Sequence, residues 1–284
     1  MKFVLIPIIS IGLVFILACQ KKDNYLETPF FNEMVSHYEF EIRPVWQDEF
    51  DGNGLPDATK WGYEVGGSGW GNNELQYYTK AEAKNARVEN GKLIIEAHKE
   101  RFNSNEYTSA RLTTKKKGDW LYGKIVVRAK IPQGLGTWPA IWMLATDQTY
   151  GAAYWPDNGE IDIMEHVGFD PKRIHGNIHT KAYNHSIGTN KGNNLIIPTA
   201  ISDFHDYIVE WTPTFIKISV DDKNYFTFQK DSNEWQKWPF DKPFFLLLNT
   251  AVGGNWGGQK GIDNNIFPQR MEVDYVRVYA LKKN

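Results

Sequence analysis

From about residue 45 onward, short apolar-rich runs alternate with clusters of turn-forming residues. The segment Lys124-Ile125-Val126-Val127-Arg128-Ala129-Lys130 swaps polar and apolar side chains for most of its length, the period of a strand that buries one face. β-prone runs recur at 92–98, 123–130, 207–211, 215–220, 244–251 and 272–280. Asp51-Gly52-Asn53-Gly54, Asn90-Gly91 and Asp221-Asp222 act as turn signals between such runs. No stretch of ordinary length carries the apolar period of a helix between caps. No internal repeat is visible, although Trp-Pro recurs at 138, 155 and 238. Many strands, hairpin turns and no helices predict an all-β chain, a sandwich or jelly roll of two antiparallel sheets. A single domain is expected over 42–284.

The N-terminus follows another pattern. After Lys2, residues 3–17 are almost unbrokenly apolar. That run is shorter than the roughly 20 residues a membrane-spanning helix needs, so it reads as the centre of a signal peptide covering 1–18. Ile16-Leu17-Ala18-Cys19 resembles a bacterial lipoprotein signal, in which cleavage before the Cys leaves a lipidated N-terminus. Cys19 is the one cysteine, which excludes an internal disulfide and a multi-cysteine zinc site. Residues 19–41 then read as a polar tether. Acyl chains contribute about 0.8 kcal/mol per buried methylene, so a multiply acylated Cys19 would hold the protein on a bacterial membrane. The outer-membrane surface and the periplasm are the expected locations, and Lys21-Lys22-Asp23 is in keeping with the former.

Composition narrows the function classes. The 284 residues are 42% hydrophobic and 23% charged with a net charge of −2, which excludes collagen, a disordered tail, a multi-span membrane protein and a basic nucleic-acid binder. Loss of 1–18 removes Lys2 and moves the charge to −3. The 11 Trp leave two readings open: large core side chains, or flat apolar faces set out along a cleft.

The chemistry concentrates in Trp155-Pro156-Asp157-Asn158-Gly159-Glu160-Ile161-Asp162-Ile163-Met164-Glu165-His166. Residues two apart on a strand share a face, so Glu160 and Asp162 project together while Ile161 and Ile163 enter the core. An unbroken period would send Glu165 inward, where an unpartnered carboxylate costs several kcal/mol. A β-bulge at 163–164 returns it to the carboxylate face, and bulges are over-represented beside active sites. Three carboxylates on one face repel one another, and no Lys or Arg lies between Lys130 and Lys172 to pair with them. A solvated acidic strand or a calcium site stays open as the bland alternative. A retaining glycosidase uses all three, because it needs a nucleophilic carboxylate and a protonated carboxyl roughly 5–5.5 Å apart. Ionised Glu160 disfavours a second charge nearby and keeps Glu165 protonated, while Asp162 orients Glu160 or shares its proton.

The run from Gly159 to Glu165, with Trp155-Pro156 before it, resembles the signature of family 16 glycoside hydrolases in its bulged form. The similarity covers roughly 45–280. Trp70-Gly71-Asn72-Asn73-Glu74-Leu75-Gln76-Tyr77-Tyr78, Gly136-Thr137-Trp138-Pro139-Ala140-Ile141-Trp142-Met143 and Val252-Gly253-Gly254-Asn255-Trp256-Gly257-Gly258 resemble the bacterial laminarinase branch. That branch cleaves β-1,3-glucan on a β-jelly roll with a concave cleft. The resemblance implies Glu160 as nucleophile, Asp162 as its assistant and Glu165 as acid/base, with no cofactor needed for the chemistry. It implies further that Trp138 and Trp142 line the cleft near the scissile bond and that Trp256 reaches over it. Asn72 and Arg111 would bond sugar hydroxyls. Core packing stays open for each Trp.

His179 falls on what should be the next strand, facing Glu165; a purely structural role for it stays open as well. The resemblance also implies a structural calcium on the convex side, held by Asp274 with backbone oxygens near Glu49 and Gly91. A surface Asp on an edge strand is the alternative there. The expected partner is β-glucan and the expected state a monomer. Mixed-linkage β-1,3-1,4-glucan and marine galactans are the other candidate substrates. A non-catalytic glucan-binding lipoprotein is the other candidate function, although a binder has no use for three converging carboxylates.

Overall fold

A computed structural model describes residues 38–282 together with Met1. The expected signal peptide, Cys19 and most of the tether lie outside the described residues. Among the described residues the chain opens with strands β1 (Trp46–Asp48), β2 (Gly62–Tyr63), β3 (Gln76–Tyr78), β4 (Ala86–Glu89), β5 (Lys92–Phe102) and β6 (Asn105–Ser109). It continues with β7 (Arg111–Thr113), β8 (Asp119–Trp120), β9 (Gly123–Lys130), β10 (Thr137–Ala145), β11 (Glu160–Glu165) and β12 (Arg173–His179). It ends with β13 (Lys191–Ile196), β14 (His205–Trp211), β15 (Phe215–Val220), β16 (Lys223–Gln229), β17 (Phe244–Val252) and β18 (Gln269–Tyr279). Helix is confined, among these residues, to two 3₁₀ turns, His185–Ile187 and Asn264–Ile266.

The strands form two packed sheets, the all-β jelly roll expected from the pattern. One has the order β16-β15-β14-β9-β18-β5-β6-β3, with β1 beside β18 and β4 beside β5. The other runs β13-β12-β11-β10-β17-β7-β2, with β8 beside β17. Pairing is antiparallel throughout except for β3 with β6. The runs at 123–130 and 215–220 coincide with β9 and β15 to the residue. β18 starts at Gln269, three residues before its apolar run, because backbone pairing of Gln269 with Ala97 extends it there.

Side chains from the facing surfaces of the sheets make one large core that includes Leu93, Ile95, Ile125, Val127, Ile141, Ile161, Tyr207, Val209, Trp211, Leu246 and Leu248. Each such large apolar side chain, fully buried, contributes about 1.5–3 kcal/mol before entropy is counted. All nine residues of β17 are buried. Its even-numbered side chains enter the core, whereas Phe245 and Leu247 face outward beneath Trp142, Tyr154 and Trp155. That second covering explains why β17 is apolar on both faces instead of alternating. The outer face of the eight-stranded sheet, centred on β10, β11 and β17, therefore carries the site.

Candidate active site

Glu160, Asp162 and Glu165 all belong to β11. The chain enters that strand through Gly159, whose φ of +88° suits glycine and where a Cβ would come within 2.9 Å of both Pro239 and Phe240. Up to Asp162 the two-residue period holds: Glu160, Ile161 and Asp162 pair with His179, Ile178 and Asn177 of β12. It then breaks. Ile163 has no partner on either neighbouring strand, and Glu165 pairs with Ala140 on β10 and His175 on β12. Residues 163 and 164 together oppose Gly176, and both are fully buried. The bulge lies where the carboxylate spacing predicted it, and Glu165 emerges on the cleft face.

Glu165 is held by two donors: Trp138 Nε1 to Oε1 at 3.2 Å and Asn177 Nδ2 to Oε2 at 3.0 Å. His179 Nε2 lies 3.2 Å from Asp162 Oδ2 and 3.7 Å from Glu160 Oε1. This corrects the expected placement of His179, which faces Glu160 and not Glu165; His175 takes the position across from Glu165. The reason is antiparallel register. The β11–β12 connection follows Glu165, so the β12 residues nearest that turn meet Glu165 and the distal His179 meets the start of β11. Burial also holds His175 down to about 4, so it faces the acids as a neutral ring.

Burial pushes all three carboxyls up. Glu160 rises well above the ordinary carboxylate range through burial and then through the neighbouring Asp162. Asp162 does so through burial and then Glu165. Glu165 is raised by burial against the opposing pull of His179, Trp138 and Asn177. Such a cluster resists carrying three negative charges at once and exchanges protons as a unit. One member able to attack beside another still holding a proton is what a double displacement needs.

A cleft of about 420 Å³ opens over the acids, and Trp70, Trp138, Trp142 and Trp155 line it. The indole of Trp142 donates to Asn249 Oδ1 at 2.7 Å, and Asn249 Nδ2 donates to Tyr78 Oη at 3.0 Å. Tyr78 Oη and Gln76 Nε2 in turn donate to the buried Glu74, at 3.3 and 2.6 Å. The guanidinium of Arg111 lies 4.7 and 4.5 Å from the Trp70 and Trp142 ring centres, with its Nε 2.7 Å from Glu64. The loop presenting Tyr154 and Trp155 is closed by Asn158, whose Oδ1 accepts the Thr149 and Tyr150 amides at 2.7 Å each. Fixed indole faces interleaved with amides and carboxylates suit a sugar chain, whose rings have apolar C–H faces and polar rims.

The model of Glycosyl hydrolases family 16 matches residues 73–277. The chain belongs to this family. As a family 16 member it is a glycoside hydrolase. A beta-glucanase of Rhodothermus marinus is 57% identical over 253 residues, covering 87% of each sequence. The crystal structure of the laminarinase from Rhodothermus marinus superposes with a TM-score of 0.84 at 56% identity, over 87% of this chain and 99% of that one. A mutant of SCLam, a non-specific endo-β-1,3(4)-glucanase co-crystallised with 1,3-β-D-cellotriosyl-glucose, gives 0.81 at 48% identity, over 86% and 95%.

In this family 16 hydrolase, Asn72, Arg111, Trp138 and Trp142 converge on the cleft with the three acids. Trp256 packs edge-on against Trp138 at 5.6 Å and His175 at 4.8 Å, beside the indole that holds Glu165 and outside the cavity over the acids. Trp155, His185, Asn177 and Asn249 escaped the sequence reading. Two of them left a legible signal. Asn177 is two residues before His179 and so shares its face of β12. Asn249 is a polar residue inside an otherwise apolar nine-residue strand, a mark of function or of a paired polar group. By contrast Asp157, Asn158 and His166, all inside the acidic motif, are buried and hold loops.

Glu160, Asp162 and His179 bring ligand-type atoms within 4.8 Å of one another, a proximity that follows from their shared face on the paired strands β11 and β12. The positions expected to hold calcium meet elsewhere. Asp274 is the extra residue of a bulge between Val273 and Tyr275. β5 pairs with β18 as far as Leu93 with Val273, and β1 joins at Asp48 with Val276. Gly91 and Glu49 thus lie just beyond the residues flanking Asp274. The Glu49 carboxylate is taken by Arg277 at 2.7 and 2.8 Å, and Asp274 lies 3.4 Å from Arg128. The expected donors, backbone carbonyls and one half-exposed carboxylate, are of the oxygen type that a hard cation takes.

Proposed function

We propose that this family 16 hydrolase cleaves internal β-1,3 linkages of laminarin-type glucan with retention of anomeric configuration. The observation that carries the reading is the bulge at 163–164, which sets Glu165 beside Glu160 and Asp162 under an indole-lined cleft. Glu160 bonds to the anomeric carbon while Glu165 gives its proton to the glycosidic oxygen and the C–O bond breaks. Water then adds at the same carbon, loses a proton to Glu165 and releases Glu160. Asp162, buried and in contact with His179, steadies Glu160. A sulfated galactan is disfavoured because the lining holds Glu64, Glu74, Glu160, Asp162 and Glu165 against Arg111 and Lys115, and Arg111 is already paired.

Proton NMR of laminarin during hydrolysis is expected to show the β-anomer of the new reducing end first, with viscosity falling ahead of reducing-end formation. Initial release of the α-anomer, or faster turnover of agarose or barley glucan than of laminarin, overturns the reading. We also propose that Cys19 carries lipid and anchors a monomeric enzyme to a bacterial membrane. The apolar run and Ile16-Leu17-Ala18-Cys19 support this. Palmitate fed to an expressing bacterium is expected to label the wild type and not Cys19→Ser; equal labelling rejects the anchor.

Calcium at Asp274 with the Glu49 and Gly91 carbonyls is a third proposal. At one hundred times its Kd a bound ion contributes about 2.7 kcal/mol, which in a domain of this size is worth about 5–10 °C in Tm. EGTA should therefore lower the Tm of the wild type and leave Asp274→Ala unmoved. A wild-type Tm indifferent to EGTA removes the site.

A further inference from the structure

The bulge that aims Glu165 leaves a backbone problem behind it. Ile163 has no register partner on β10 or on β12, and its side chain is fully buried, so its carbonyl needs a partner from outside the ladder. That partner is Tyr225, whose hydroxyl donates to the Ile163 carbonyl at 3.1 Å. Tyr225 belongs to β16, a strand of the other sheet, so its phenol crosses the sandwich to reach the catalytic strand. Its own carbonyl accepts from Asn193 Nδ2 of β13 at 2.9 Å, which fastens the opposite end of the residue to the eight-stranded sheet.

The residue facing the bulge is adapted to this crossing. A Cβ at Gly176 would stand 2.8 Å from the Tyr225 hydroxyl and 3.2 Å from its ring. Glycine at 176 therefore leaves the channel through which the phenol passes, although nothing in its own strand geometry asks for glycine. Burial raises the Tyr225 hydroxyl well above its ordinary range, which favours the protonated, donating form. We propose that Tyr225 is a positioning residue for catalysis: by clamping the Ile163 carbonyl through the gap at Gly176 it fixes the bulge and thereby the direction of Glu165.

This rests on the reading of Glu165 as the acid/base. A misplaced acid penalises only departures that need a proton. A misplacement of about 1 Å costs on the order of a hundredfold. Tyr225→Phe keeps the ring and removes the hydroxyl. It should lower kcat on laminarin by about ten- to a hundredfold with KM within twofold of wild type. On 2,4-dinitrophenyl β-laminaribioside, whose leaving group departs without protonation, formation of the glycosyl-enzyme should stay within twofold of wild type. Gly176→Ala, which pushes on the same hydroxyl, should reproduce the split and stands in if Tyr225→Phe does not fold.

A variant with wild-type kcat on laminarin, or with equal losses on both substrates, overturns the clamp. Glu165→Gln separates that failure from failure of the underlying assignment. It must lose laminarin hydrolysis while still releasing a burst of dinitrophenol. If it keeps laminarin hydrolysis, the acid/base assignment itself falls.

Discussion

Glu160→Gln should hydrolyse laminarin at about 10⁻⁴–10⁻⁶ of the wild-type rate and should still bind it, because loss of a nucleophile removes the covalent route and leaves the binding surface in place. Reducing-sugar release measures the first quantity and retention on insoluble β-1,3-glucan the second. Residual activity above that range takes Glu160 out of the bond-forming role. If wild type and variant both bind glucan and neither releases sugar, the chain is a binding module.

The same substitution should make the fold more stable. Burial and Asp162 raise Glu160 above its unfolded value, so the folded state holds this proton more tightly than the unfolded chain does. The contribution favours folding at low pH and is lost as pH rises through the folded value. Gln has no charge to bury. The gain in Tm over wild type should thus be largest at about pH 8 and shrink toward about pH 5. A gain that is flat with pH contradicts the burial-driven shift.

The second large effect is expected at Glu165. Glu165→Ala should cut laminarin hydrolysis by about 10²–10⁴-fold, the usual worth of a positioned general acid. Azide should restore turnover on an activated aryl glycoside by attacking the Glu160-bound sugar and giving a β-glycosyl azide, since azide needs no base. An α-azide, or no rescue while a glycosyl-enzyme accumulates, removes the retaining scheme. In the wild type, activity should fall as pH rises through the raised value of Glu165, because the acid form is then lost. Glu160 and Asp162 neighbour it on the same face, His179 acts on it through charge, Trp138 and Asn177 donate to it, and His175 lies across the strand pair. In Glu165→Ala that alkaline fall should vanish on the activated substrate.

The acidic strand was legible because parity is a local property. Two isoleucines demand burial, Glu160 and Asp162 share the opposite face, and Glu165 can join them only through one extra residue, which is where the backbone bulges. The strand set was legible for the same reason in β9 and β15, where alternation alone sets the bounds. It was less so at Gln269, where pairing with Ala97 and not the apolar pattern starts β18. His179 was found but assigned to the wrong carboxylate, because its partner depends on where the β11–β12 turn falls. The two readings of the surplus Trp residues were both right for different members. Trp61 and Trp211 are core, and Trp70, Trp138, Trp142 and Trp155 line the cleft.

The all-β class, the three acids, their common face and the bulge that makes it common are written in the order of residues along the chain. The class follows from strand-like runs and turns spread over the chain, and the rest from side-chain period and charge within a dozen consecutive residues. Which groups surround those acids depends on the packed fold: His179 beside Asp162, Asn177 and Trp138 on Glu165, and Arg111 between two indoles. Tyr225, sixty-two residues beyond Ile163, is the extreme case. Its contact depends on the packing of one sheet against the other and on an absent side chain at Gly176. No periodicity encodes such a pair, because period describes how a strand faces its core and not which residue the core brings to meet it.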